Sequence, residues 1–131
     1  MIEVESLNID DMVIYQDDTM YHFTSDAGLL SHFASVKKGD KVADFCSGSG
    51  IVGINLFALN REKIESVDLF EMQEGLCNLS KMSIEKNRLG DKIFAKNVKI
   101  QDINNKFYGK YSLITCNPPY MEIEDGVGQE K

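Results

Sequence analysis

The sequence predicts an α/β fold built on a parallel sheet. Three observations carry this. Short, nearly unbroken apolar runs recur along the second half of the chain, stretches with helical spacing separate them, and glycines or capping residues mark the changeovers. Apolar strands that alternate with helices imply βαβ crossovers and a sheet covered on both faces. At 131 residues, 43% of them hydrophobic, the chain has material for a single core.

Residues 1–24 mix apolar groups such as Val13-Ile14 and Tyr21-His22-Phe23 with acidic residues. They read as one or two short extended pieces joined by a turn at Asp17-Asp18. In TSDAGLLSHFASVKKGD, Thr24, Ser25 and Asp26 are candidate N-caps, and Leu29, Leu30, Phe33 and Ala34 fall at helical spacing before Gly39. Val42 to Cys46 forms a compact first strand, and Gly48 to Gly50 a tight turn that opens a helix through Leu59. IESVDLFE supplies a second strand over about residues 65–70, followed by a helix over about 73–89 that ends at Gly90. KIFAKNVKI and YSLITC supply the third and fourth strands.

Fourteen basic residues against twenty-one acidic ones give a net charge of -7, which argues against a surface that blankets a nucleic-acid backbone. Two small basic groups, Lys37, Lys38 and Lys41, and Lys81, Lys86 and Arg88, read better as solvated faces. The cysteines, Cys46, Cys77 and Cys116, are odd in number and show no C-x-x-C spacing, so neither a disulfide framework nor a zinc site is expected. Reduced thiols in a cytoplasm fit them. The acidic N-terminus has no apolar run of signal-peptide or membrane-spanning length, so no membrane association is expected. His22 and His32 stand apart from any nucleophile or ligand cluster and read as strand-face and helix-face residues.

Asp44-Phe45-Cys46-Ser47-Gly48-Ser49-Gly50 follows a strand and opens a helix, the context of a nucleotide-type cofactor loop. Glycines let backbone approach a ligand, and the helix N-terminus presents N–H groups to it. Glu71, at the end of the second strand and about twenty residues on, can accept hydrogen bonds from both hydroxyls of a ribose. A dinucleotide and S-adenosylmethionine both suit such a pair. Asp44 at the start of the loop would repel phosphates and suit a cationic sulfonium, which favours S-adenosylmethionine.

The fourth strand runs into Asn117-Pro118-Pro119-Tyr120. Two consecutive prolines fit neither a sheet ladder nor a helix interior, so this is a stiff loop just past a strand end. With DFCSGSG and Glu71 in the same order and spacing, NPPY resembles the class I S-adenosylmethionine-dependent methyltransferases that act on planar amino groups. More narrowly, YHFTSDAGLLSHFASVKKGDKVADFCSGSGIVGINL is similar to the lead-in of bacterial tRNA(Val) adenine-N6 methyltransferases. The likeness covers the chain up to Tyr120, and MEIEDGVGQEK departs from the family's continuation. Cys46 stands where the family usually has its first glycine, and Ser112 where the fourth strand commonly begins with aspartate.

The resemblance implies a Rossmann-like class I fold, with residues 1–40 a lead-in carrying a short helix and 41–131 the front half of the cofactor domain. It implies S-adenosylmethionine held by Asp44, Cys46, Ser47, Gly48, Gly50, Glu71 and Asp102, with no metal. Asp102 would receive the adenine amine of the cofactor; it reads equally as a solvent-facing turn residue. The catalytic set would be Asn117, Pro118 and Tyr120, with Asn117, Pro119 and Tyr120 holding substrate. Asn117 and the Pro118 carbonyl would accept the two N–H bonds of adenine's exocyclic amine, and Tyr120 would stack on the base. The expected substrate is RNA, most simply tRNA, whose anticodon loop offers splayed bases.

Two other readings stand beside this one. A protein glutamine-N5 methyltransferase of release factors presents the same planar nitrogen to the same tetrapeptide, though that family usually carries a helical N-terminal domain. A truncated cofactor-binding fragment without activity is the other, because the class usually has seven strands in the order 3-2-1-4-5-7-6 and four are legible here. In that case the fourth strand becomes a sheet edge open to self-association.

Overall fold

The computed structural model describes residues 2–7, 11–17, 35–45, 47–99 and 109–116. It opens with β1 (Ile2–Ser6) and β2 (Val13–Asp17), paired antiparallel with Ile2 opposite Asp17 and Ser6 opposite Val13. The extended piece expected at Val13-Ile14 is therefore present within β2, its partner is Ile2–Ser6, and Tyr21-His22-Phe23 lies outside the described residues. After β1 the Leu7 N–H reaches the Met12 carbonyl and Asp11 takes a left-handed φ of 64°, whereas Asp17, expected in a turn, belongs to β2. The physical reason is burial: Ile14 and Gln16 are 1% and 0% exposed, so the alternation that fixes β2 extends through this stretch. The helix expected from Thr24 lies outside the described residues.

A second sheet holds β3 (Asp40–Phe45), β4 (Ile64–Phe70), β5 (Ile93–Lys96) and β6 (Leu113–Cys116) in the order β5-β4-β3-β6, every neighbour parallel. This is the expected 3-2-1-4 order. Helix α1 (Ile51–Leu59) joins β3 to β4, and α2 (Glu74–Lys86) joins β4 to β5. Both crossovers step the same way along the sheet, and right-handed connections then place both helices on one face. That face carries Val42, Asp44, Val67, Leu69 and Ile93, which share register positions and are buried. Among the described residues the opposite face is partly open, with Phe94 43% and Ile114 57% exposed.

The sequence of α1, IVGINLFAL, is apolar all round, and Ile51 to Ala58 are buried, as such a helix requires. The amphipathic α2 buries Leu76, Cys77, Leu79, Ser80, Ser83 and Ile84. Ser83 and the C-cap Asn87 also bind the hairpin: the Ser83 hydroxyl accepts the Tyr15 N–H at 2.8 Å, and the Asn87 amide accepts from and donates to the Val13 backbone at 2.9 and 2.7 Å. One i, i+4 pair thus satisfies an edge of β2 and seats Met12 and Ile14 in the main core.

Helix α2 ends three residues earlier than the sequence suggests. Leu89 donates to the Ile84 carbonyl and Arg88 to that of Glu85, the paired bonds of a Schellman motif, with buried Ile84 and Leu89 as its apolar contact. The left-handed residue is Arg88, with φ 60°, so Gly90 falls beyond the cap.

Candidate active site

Two segments expected to carry chemistry leave the sheet side by side. Phe45, which ends β3, and Cys116, which ends β6, are register partners. The chain goes on from them into the glycine turn and into Asn117. Because β4 and β6 flank β3 on opposite sides, this is where crossovers diverge, the usual ligand position of an open parallel sheet.

The turn between β3 and α1 is held from three directions. Ser47 donates its N–H to the Phe70 carbonyl at 3.1 Å, and its own carbonyl accepts the Gly50 N–H at 2.9 Å. Gly48, at φ 60°, donates to Glu71 Oε1 at 2.7 Å, while its carbonyl accepts the Ser80 hydroxyl at 3.2 Å. Gly50, at φ 93°, is the N-cap of α1, in a conformation L side chains rarely adopt. Further on, a Cβ at Gly53 would lie 2.4 Å from Leu69 Cδ2, so α1 packs on β4 more closely than any side chain allows. Gly48-Ser49-Gly50-Ile51-Val52-Gly53 completes a G-x-G-x-x-G spacing, the signal by which the sequence could have revealed Gly53.

Glu71 is 7% exposed, and its carboxylate is fixed by backbone alone: Oε1 takes Gly48 and Oε2 takes the Gln73 N–H at 2.9 Å. A carboxylate has about four acceptor positions, so roughly two remain for a ligand's hydroxyls. Asn97 donates to the Glu71 and Met72 carbonyls at 2.9 and 3.0 Å, holding the segment after β5 against the end of β4.

Asp44 lies beneath the turn with no exposure. Oδ2 accepts the Gly53 N–H at 3.1 Å, capping the first turn of α1 from below, and Oδ1 accepts the Thr115 hydroxyl at 2.8 Å. Burial pushes its carboxyl up to about 7, against the two hydrogen bonds and with help from the Glu71 charge. The group expected to bring negative charge to the turn therefore sits at the edge of protonation near neutrality. Ser47 Oγ is buried with no hydrogen-bond partner among the described residues.

Asp44, Ser47, Gly48, Gly50 and Glu71 are thus brought together. Cys46, Asp102, Asn117, Pro118, Pro119, Tyr120, His22 and His32 lie outside the described residues. Sequence reasoning missed Gly53, Ser80 and Thr115. The last two gave no signal, because a serine on a helix and a threonine in a strand are ordinary residues there. Among the described residues no group of histidine, cysteine, aspartate or glutamate could hold a metal, and no helix is long and apolar enough to cross a membrane.

The parallel sheet, the glycine turn at its divergence point and the pinned carboxylate at the next strand end define a class I S-adenosylmethionine-dependent methyltransferase fold. The residues present fit that cofactor: a turn with glycines at 48 and 50, an oriented acceptor for a diol, and the buried Ser47 hydroxyl, which lacks a partner among the described residues. Residues 23–129 match the Methyltransferase small domain family, and the chain belongs to it.

The chain is 25% identical over 109 residues to a tRNA1(Val) (adenine(37)-N6)-methyltransferase of Trichodesmium erythraeum, covering 83% of this chain and 46% of that protein. It is 31% identical over 86 residues to a release factor glutamine methyltransferase of Clostridium botulinum, covering 65% and 29%. The crystal structure of Methanocaldococcus jannaschii Trm5 in complex with adenosine superimposes with a TM-score of 0.70 at 15% identity, over 95% of this chain and 37% of that one. The chain spans less than half the length of each of these relatives.

Proposed function

We propose that this protein is the cofactor-binding part of an N-methyltransferase that methylates the exocyclic amine of adenine in RNA, with tRNA as substrate. The observation that carries the reading is the register of Phe45 with Cys116, which starts the glycine turn and the Asn117-Pro118-Pro119-Tyr120 segment from neighbouring strand ends. The similarity to tRNA1(Val) adenine-N6 methyltransferases supports the substrate class, and the reading carries with it a cytoplasmic location.

S-adenosylmethionine supplies the methyl group as a sulfonium with a neutral thioether leaving group. Glu71 would hold the ribose hydroxyls, the glycine turn at Gly48 and Gly50 and the Ser47 hydroxyl would contact the ligand, and Asp102 would receive its adenine amine. The amine of adenine is a weak nucleophile because its lone pair is delocalised into the ring. Asn117 and the Pro118 carbonyl accept its two protons as hydrogen bonds and so favour the tetrahedral, positively charged nitrogen of the transition state. Pro119 stiffens the segment and Tyr120 orients the base by stacking.

A protein glutamine-N5 methyltransferase is the second reading, favoured by the similarity to release factor glutamine methyltransferases. Transfer of labelled methyl to tRNA(Val) and to a release factor, run in parallel, separates them: label on adenine of tRNA alone supports the proposal, and label on the release factor alone overturns it. Because β6 pairs on one side only among the described residues, we also propose that it associates with a second copy, read directly by size-exclusion chromatography.

A further inference from the structure

We propose that Thr115 is a positioning residue: its hydroxyl, fixed on Asp44, registers the strand that leads into Asn117 against the turn and helix that carry the cofactor. The inference deepens the methyltransferase reading and rests on its cofactor site.

Strand β6 is four residues long and, among the described residues, pairs with β3 alone. Ile114 is 57% exposed and Cys116 is exposed, so apolar packing holds its outer face weakly. Besides its ladder with β3, hydroxyl groups donating to aspartates hold it. At its start the Ser112 hydroxyl donates to Asp40 Oδ1 at 2.7 Å, and Tyr111 OH donates to Asp68 Oδ2 at 2.5 Å. At its far end stands Thr115, two residues before Asn117. Ser112 is exposed, whereas Thr115 is 6% exposed and its acceptor Asp44 is wholly buried. A hydroxyl bond to a buried carboxyl group is directional and costly to lose.

The other oxygen of Asp44 holds the Gly53 N–H in the first turn of α1. One carboxylate therefore links β6, β3 and α1, and any turn of its plane shifts both the helix that follows the glycine turn and the end of the substrate strand. Glu71 is the further charged group acting on Asp44, and it binds the same turn from the β4 side through Gly48. A ligand that settles the turn thereby steadies β6, and the route runs through the Thr115 hydroxyl.

A residue that merely fills a strand behaves differently. Valine keeps the β-branched shape and strand preference of threonine but has no donor; serine keeps the donor and loses the branch. Amide hydrogen exchange of residues 113–117, with and without S-adenosylhomocysteine, is measured in the wild-type chain, T115V and T115S, with calorimetry of ligand binding alongside. Ligand is expected to slow exchange at Cys116 and Asn117 several-fold in the wild type and T115S, and to leave it unchanged in T115V although T115V binds. The reverse ranking, with T115V like wild type and T115S impaired, shows a packing role and overturns the proposal. Equal slowing in all three proteins overturns it too. A wild-type chain that binds no ligand overturns the cofactor reading and the positioning role together, and calorimetry identifies that outcome.

Discussion

Glu71 Oε1 accepts the Gly48 N–H at 2.7 Å, tying the end of β4 to the turn after β3 across 23 residues of sequence. The same carboxylate takes the Gln73 N–H at the start of α2, so one side chain fixes the glycine turn, its own orientation and the entry to the next helix.

Glu71→Ala is therefore expected to weaken S-adenosylhomocysteine binding by about 1.5–3 kcal/mol, the range for hydrogen bonds to a charged group. Calorimetry with unchanged affinity would remove Glu71 from the binding site.

Gly53→Ala should destabilise the fold by about 1–3 kcal/mol, because its Cβ would overlap Leu69, a fully buried side chain with little room to withdraw. Gly90→Ala is the control. Nothing lies within 4 Å of a Cβ there, so its effect should stay within about 0.5 kcal/mol. Urea denaturation of the two variants side by side checks the pair, and equal midpoints would contradict the close approach of α1 to β4.

Asp44 makes stability fall as pH rises through the weakly acidic range. Its carboxyl goes from 3.8 when unfolded to about 7 when folded, so between these values the folded state holds a proton that the unfolded state has released. Stability must then decline with rising pH across this window and level off above it. Asp44→Asn removes the slope and keeps both contacts, since the amide oxygen can accept from Gly53 while the amide nitrogen donates to a rotated Thr115 hydroxyl. Asp40 acts elsewhere: the Lys37 N–H and then Ser112 hold its carboxyl low, so its stabilisation is lost only as pH falls below about 4. Melting temperatures from pH 4.5 to 8 that fall no faster in the wild type than in D44N would refute this assignment.

Asn117→Ala should abolish methyl transfer while leaving cofactor affinity nearly intact, because in the proposed mechanism its hydrogen bond would strengthen only as the amine becomes tetrahedral. The measurement is turnover on adenine-containing RNA alongside calorimetric binding in the same preparation. Full turnover by the variant would end the amine-holding role.

Much of this architecture was written locally. The apolar runs around Val42, Val67, Ile93 and Leu113 announced four strands, Gly48 and Gly50 marked the turn, and the spacing from the glycines to Glu71 identified the partner carboxylate. These features follow from side-chain periodicity and backbone permissiveness, which act over a few residues and can be read in order. Other features depend on residues far apart in the chain meeting in space. Arg88 closes α2 where Gly90 was expected, because the Ile84–Leu89 contact in the core fixes where the helix stops. Asn87 and Ser83 recognise β2 from 68 to 74 residues away. Thr115 reaches Asp44 across 71 residues, and burial, outweighing two hydrogen bonds, raises that carboxyl to about 7. No sequence window holds both partners of such a bond, and desolvation is a property of the packed interior, so the tertiary structure decided them.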